Sequence, residues 1–338
     1  MLKMAVAGLG GMGMGIAARC LQLPQALLVA VADVRSERLT EEAFSFALGR
    51  PAGAERVARF SDARALIAEA DVDVVVVCLP TEMHARYSVQ ALEAGRHVLC
   101  EKPMALTLQD AGRMIEAAHR SSRSLMIAQC VRFWPEYQFL RQCVGDSRFG
   151  RLLSLNLYRM SGRPAWSWQN WMLDPARSGG AVLDMHIHDV DFTQHLLGLP
   201  DTIQCIRRVL ANGSGLDAIY ALFDYADGPQ VHLHSGWAAA AIPFRAGFEA
   251  WFERGFVRHD CTRQPLLEVL GEPDAGIDRF AGYTEGDAYA NELTYFLGCV
   301  ERNAPPEECL PESARESMRL VEKELAAAAS GRPVSGKR

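Results

Sequence analysis

The sequence predicts an α/β domain on an open parallel sheet, followed by an α+β domain whose sheet is mainly antiparallel and open-faced. Three observations carry this. Apolar β-type runs alternate with helical stretches to about residue 129, a glycine-rich turn follows the first run, and strand-like runs joined by short turns dominate after residue 150. A length of 338 residues fits two domains at roughly 150 residues each.

In the first part, strands are expected at Leu2–Ala7, Leu27–Ala32, Val57–Phe60, Val72–Leu79, His97–Glu101 and Ser124–Gln129. The fourth carries valine at 72, 74, 75, 76 and 77, a β-branched run suited to a strand buried on both faces. Helices fill the gaps: one after the glycine turn to about Leu21, Ser36–Leu48, one capped by Ser61 and reaching Ala70, Glu82–Ala94 stopped by Gly95, and one opened by Thr107-x-x-Asp110. The expected domains are 1–125 and 126–338, with the C-terminal helix open to packing back on the first.

The turn after the first strand reads Gly8-Leu9-Gly10-Gly11-Met12-Gly13, a G-x-G-x-x-G between strand and helix. Gly8 permits the turn, Gly10 lets backbone approach a pyrophosphate, and Gly13 lets helix pack on strand. The helix N-terminus presents N–H groups and a positive dipole end to phosphate. Asp33 ends the second strand 20 residues beyond Gly13, where an acid meets the adenosine ribose hydroxyls. Its carboxylate favours NAD; Arg35, two residues on, keeps NADP open.

Lys102 follows the fifth strand, at the sheet end where ligands of open α/β sheets bind. Its ammonium can hydrogen-bond a hydroxyl and stabilise a developing alkoxide. His84, just past the fourth strand, faces the same side and is a candidate contact to nicotinamide or substrate.

The turn Gly8-Leu9-Gly10-Gly11-Met12-Gly13, the run Asp73-Val-Val-Val-Val-Cys-Leu-Pro80 with His84, Gly95-Arg-His-Val-Leu-Cys-Glu-Lys-Pro103, Arg132-Phe-Trp-Pro-Glu-Tyr137, Gly179-Gly-Ala-Val-Leu-Asp184 with His188-Asp189, and Pro311-Glu-Ser-Ala-Arg-Glu-Ser317 resemble the glucose-fructose oxidoreductase / inositol dehydrogenase / rhizopine-catabolism (Gfo/Idh/MocA) family. The resemblance spans nearly the whole chain in order. It implies that Lys102 lies beside the nicotinamide, that the Lys102–Pro103 bond is cis, and that Leu79, Pro80, His84 and Glu101 join Gly8, Leu9, Gly10, Gly11, Met12, Gly13, Asp33 and Arg35 around the cofactor. It also implies an open sheet face used for homodimer or homotetramer contacts.

Residues 181–197 show a helical apolar period ended by Gly198 and Pro200, which puts Asp184 and His188 at i and i+4 on one face. An acid beside an imidazole orients it, and the imidazole then takes a proton near neutral pH. In the resembling family an acid and a histidine at this spacing complete the site with the lysine. His186-Ile-His188-Asp-Val-Asp191 also looks like a metal string, yet on a helix His186 and His188 point about 200° apart, so no metal is expected.

The loop Arg163–Trp171 holds tryptophans at 166, 168 and 171. Trp166 and Trp171 either line a sugar pocket or bury the loop against the core. Arg132, past the sixth strand, is a further substrate candidate. Later strands are expected at 152–160, 203–210, 217–225, 230–237, 246–252 and 256–260, with turns at Asp227-Gly228 and Arg254-Gly255. Helices at 285–302 and 311–329 and a mobile tail over 330–338 end the chain.

With 35 basic against 41 acidic residues the net charge is −6, which disfavours a nucleic-acid ligand. Nine cysteines, none closer than ten residues, make no Cys-x-x-Cys pair and suit a reducing cytoplasm. No targeting or membrane segment is expected. The expected function is NAD(P)-dependent oxidation of a secondary hydroxyl of a sugar, cyclic polyol or sugar derivative, with Lys102, Asp184 and His188 as the catalytic and substrate-contacting set. A redox-neutral enzyme using NAD transiently, and a non-catalytic dinucleotide sensor, remain alternatives.

Overall fold

The computed structural model describes residues 1–40, 42, 54–211 and 215–337. These divide into two compact units, 1–130 with 288–315, and 131–287 with 316–337.

The first unit is built on six parallel strands: β1 (Leu2–Ala7), β2 (Ala26–Ala32), β3 (Ala58–Phe60), β4 (Val74–Val77), β5 (His97–Glu101) and β6 (Leu125–Ala128). Their order in the sheet is β3-β2-β1-β4-β5-β6. The order reverses between β1 and β4, which makes the carboxyl ends of those strands the switch point where ligands of such sheets bind. All four valines of β4 are buried, as its unbroken apolar pattern requires. Helices α1 (Gly11–Cys20), α2 (Ala63–Glu69), α3 (Thr81–Glu93) and α4 (Leu108–Ser121) alternate with the strands. The Thr107 hydroxyl caps α4 by accepting from Asp110 N–H at 3.0 Å, and Gly95 at φ +77° lets the chain leave α3.

Two local expectations change here. Asp62, not Ser61, caps α2: its carboxylate accepts from Arg64 N–H at 3.2 Å. Of the expected Ser36–Leu48 helix, a 3₁₀ turn over Ser36–Arg38 is seen, and residues 41 and 43–48 lie outside the described residues.

The second unit holds eight strands, β7 (Leu152–Gly162), β8 (Thr202–Ala211), β9 (Leu216–Asp224), β10 (Gln230–Ala238), β11 (Arg245–Phe252), β12 (Gly255–Asp260), β13 (Leu267–Gly271) and β14 (Val334–Ser335), in the order β13-β12-β11-β7-β10-β9-β8-β14. Every pairing is antiparallel except β7 with β10. The strand β13 was not read from the sequence. The expected mobile tail is also corrected: Val334 and Ser335 pair with Ile203 and Thr202, and Lys323 Nζ donates to the carbonyls of Ser335, Gly336 and Lys337 at 2.9–3.0 Å. The edge of β8 gives the tail's backbone groups their partners.

The remaining helices are α5 (Pro135–Gly145), α6 (Pro175–Ser178), α7 (Gly180–Asp184), α8 (Ile187–Leu197), α9 (Ala288–Glu301) and α10 (Pro311–Ser330). Residues 181–197 are therefore two helices and not one. Met185 and His186 N–H both donate to the Ala181 carbonyl, at 2.9 and 3.0 Å, and this shared acceptor breaks the regular i→i−4 ladder. Met172, Leu173, Ala181, Met185, Leu216 and Trp237 form the apolar cluster beneath α7.

Candidate active site

In the first unit, β1 runs into the glycine turn at the switch point. Gly8 has φ +96°, and a Cβ there would overlap the Cys78 carbonyl; one at Gly13 would overlap the Gly8 carbonyl. These two glycines are demanded by the turn itself. At Gly10 and Gly11 a Cβ would meet no protein atom within 4 Å. The N-cap of α1 is Gly10, no side chain caps the helix, and its first turn has no acidic residue. Unopposed N–H groups beside a cradle that a side chain would fill suit a pyrophosphate, so the turn fits NAD.

Leu9 differs from expectation. Its side chain is buried and its N–H donates to Asp33 Oδ2 at 2.8 Å, so it holds the turn rather than a ligand. Asp33 is buried at the end of β2 and also takes three bonds from Arg35: from its N–H to Oδ1 at 2.9 Å, from Nε to Oδ1 at 2.8 Å and from Nη2 to Oδ2 at 2.8 Å. Arg35 Nη2 reaches the Leu9 carbonyl as well, at 3.3 Å.

Lys102 is half-buried after the last residue of β5, and the Lys102–Pro103 peptide is cis, as the resemblance implies. Leu79 and Pro80 are half-buried between β4 and α3, and Met12 is exposed on the first turn of α1. His84 is not on a ligand-facing surface. It is buried, with Nδ1 at 2.8 Å from the Pro103 carbonyl and Nε2 at 2.8 Å from the Leu79 carbonyl. Glu101 is buried too. Sequence reasoning missed Glu292 on α9, which is fully buried; burial first, and the charge of Glu101 second, push its carboxyl well above the usual carboxylate range. Its signal in the sequence is an acid set inside the apolar stretch of α9.

In the second unit Asp184 closes α7 and His188 lies in the first turn of α8, both buried, on either side of the break. His186, in the break, faces elsewhere: Nδ1 lies 3.0 Å from Ser235 Oγ and Nε2 3.1 Å from Glu324 Oε1, all fully buried. Among the described residues no three His, Cys, Asp or Glu side chains are grouped to hold a metal ion.

Arg132 is removed from the substrate candidates. Its guanidinium is buried and forked onto Asp191, Nε to Oδ2 at 2.7 Å and Nη2 to Oδ1 at 2.6 Å, while Ser317 Oγ donates to Asp191 Oδ1 at 2.8 Å. The aromatic loop splits between its two readings. Trp171 packs on the cluster beneath α7, whereas Trp166 is 76% exposed. All nine cysteines are free thiols; burial pushes Cys20 and Cys100 up to about 12, so they stay protonated and inert. Among the described residues no helix is long and apolar enough to cross a membrane.

Residues 2–129 match the model of an oxidoreductase family with an NAD-binding Rossmann fold, and residues 137–258 match the GFO/IDH/MocA C-terminal domain. Myo-inositol 2-dehydrogenase of Thermotoga maritima is 27% identical over 320 residues, covering 90% of each chain. The 1,5-anhydro-D-fructose reductase of Ensifer adhaerens is 34% identical over 253 residues, 71% of this chain and 73% of that one. The fold matches the WlbA dehydrogenase of Bordetella pertussis, solved with NADH and UDP-GlcNAcA, at a TM-score of 0.81 and 20% identity, over 99% of this chain and 98% of that one. The chain belongs to the Gfo/Idh/MocA family and is an NAD(P)-dependent oxidoreductase with an NAD-binding Rossmann domain.

Proposed function

We propose that this chain oxidises a secondary hydroxyl of a sugar, cyclic polyol or sugar derivative to the ketone, or runs the reverse reduction. The observation that carries the reading is Lys102 at the carboxyl end of β5, in the same sheet whose switch point bears the uncapped phosphate turn. The names of the relatives, an inositol dehydrogenase and an anhydro-sugar reductase, support the substrate class.

Bound NAD supplies the hydride acceptor. The N–H groups that open α1 hold its pyrophosphate, and the end of β2 meets the adenosine ribose. Lys102 donates a hydrogen bond to the reacting hydroxyl oxygen and stabilises negative charge as the proton leaves. His188, oriented by Asp184, takes that proton. Trp166 offers a flat apolar face suited to a sugar ring.

A homo-oligomer is part of the proposal. Ile206, Tyr220, His234 and Tyr158 stand side by side across β8, β9, β10 and β7, with Ile206 58% and Tyr220 50% exposed. A largely aromatic row on an open sheet face suits a second copy of this chain.

Screening the purified protein against inositols, aldoses and anhydro-sugars with NAD and NADP tests the function. Production of NADH with at least one polyol or sugar is expected. NAD binding without turnover across the panel would favour a sensor instead.

A further inference from the structure

The environment of His84 fixes how many protons its ring carries. Each ring nitrogen stands 2.8 Å from a backbone carbonyl oxygen, Nδ1 from Pro103 and Nε2 from Leu79, and the side chain is buried. A carbonyl oxygen only accepts hydrogen bonds. A neutral imidazole has one N–H and one bare lone pair, so one of the two contacts would set lone pair against lone pair at hydrogen-bond distance. A ring with a proton on each nitrogen satisfies both.

The two carbonyls belong to chain segments that leave the sheet. The ladder between β4 and β5 ends at Val77 and Cys100; Leu79 lies two residues past it on one side and Pro103 three past it on the other. Pro103 has no N–H and cannot extend a ladder. We infer that His84 is a doubly protonated clip that takes over where the β4–β5 ladder stops, and that it thereby positions the backbone carrying Lys102. The positioning half rests on the role proposed for Lys102; the protonation half does not.

Charges near His84 in sequence are balanced. Glu82 and Arg86 lie two residues to either side on α3, and Glu101 and Lys102 precede Pro103. Burial and the N-terminal turn of α3 both oppose a cation. Against them stand two hydrogen bonds from an ionised donor, each stronger than a neutral one, and the lone-pair clash that a neutral ring would suffer at one carbonyl.

Nitrogen-15 NMR of the full chain labelled at histidine reads the protonation directly at about pH 7.5, a unit above the ordinary imidazole value. The His84 signal is the one lost in His84→Gln, or is assigned through its contact to Pro103 if that variant does not fold. Protons on both ring nitrogens are expected; a single neutral tautomer overturns the inference. Positioning is read from His84→Phe, which keeps a flat ring and removes both donors. Its kcat should fall by about tenfold or more, with the KM for NAD changed by less than about twofold, at a temperature well below its unfolding midpoint. A lowered midpoint with wild-type kcat would leave His84 a purely structural residue and overturn the positioning role. Should Lys102→Ala retain full turnover, the function proposed above fails while the NMR result still decides the protonation.

Discussion

Arg35 holds Asp33 in a two-pronged grip, Nε on Oδ1 and Nη2 on Oδ2, each at 2.8 Å. The N–H groups of Arg35 and Leu9 add a third and a fourth bond. A carboxylate offers about four lone-pair sites, and these bonds fill them. Burial acts against the charge on Asp33, but the bonds from Arg35 and Leu9 prevail and hold its carboxyl below the usual carboxylate value. In the cofactor placement proposed above, ribose hydroxyls would reach Asp33 only as Arg35 releases it, and the half-buried guanidinium would then be a partner for whatever the ribose carries.

Cofactor choice follows from this pair. Asp33→Ala leaves the Arg35 guanidinium without its carboxylate at the end of β2, where it suits a 2′-phosphate. The NADP-to-NAD ratio of kcat/KM should rise by about tenfold or more, the worth of one charge-assisted bond. Arg35→Ala should lower the ratio. Steady-state kinetics with both cofactors measures this, and an unchanged ratio in both variants contradicts it.

The proposed chemistry makes a sharper demand. Lys102→Ala and His188→Ala should each reduce turnover by roughly 10²–10⁴-fold. Cofactor affinity, read by fluorescence titration with NADH, should stay near wild type, because the phosphate turn is untouched. Near-normal turnover in both variants would remove the assignment.

The strands of the first unit were legible because β-branched runs and glycine turns encode them locally. So was the phosphate turn, whose Gly8 and Gly13 are fixed by clashes within the turn itself. What the sequence hid was pairing at a distance. Arg132 and Asp191 are 59 residues apart, and His186 and Glu324 are 138 apart; no local pattern says that they meet. The place of His84 after β4 points it toward the cofactor, but a position in the chain does not show which carbonyls a ring will find. The break between α7 and α8 was missed because Met185 and His186 keep right-handed helical dihedrals, so the apolar period runs through it.

The open sheet face gives a prediction about assembly. Ile206→Glu combined with Tyr220→Lys puts charges on the two exposed members of the row without touching the buried face. Analytical ultracentrifugation should show a smaller species than wild type, with the far-ultraviolet spectrum unchanged. The same mass for both proteins would place the interface elsewhere, or show a monomer if that mass is one chain.

The Arg132–Asp191 fork lies wholly within the second unit and is buried on both sides. Removing one partner leaves a buried charge, so Arg132→Leu should cost about 3–5 kcal/mol in urea unfolding. Replacing both, as Arg132→Met with Asp191→Leu, should cost less than either single change, since no charge is stranded. A raised substrate KM with unaltered stability in Arg132→Leu would instead restore Arg132 to the substrate contacts.

His195, on α8, sets part of the acid limit. Burial first, and the charges of Arg132 and Arg141 second, lower its value to about 3. The unfolded chain titrates there at about 6.5. Above that pH the group is neutral in both states and contributes nothing. Below it the unfolded chain binds a proton that the folded chain refuses, so stability declines as pH falls from about 6.5 toward 3. His195→Gln removes this proton uptake and keeps a polar side chain. Unfolding by urea at a series of pH values should give curves for the two proteins that run parallel above about pH 7 and separate in favour of the variant as the pH falls. Carboxylates such as Asp33 titrate in both proteins and cancel in the difference. Curves that stay parallel down to pH values near 4.5, roughly two units below the unfolded value, would mean that His195 takes up its proton in the folded chain as readily as in the unfolded one.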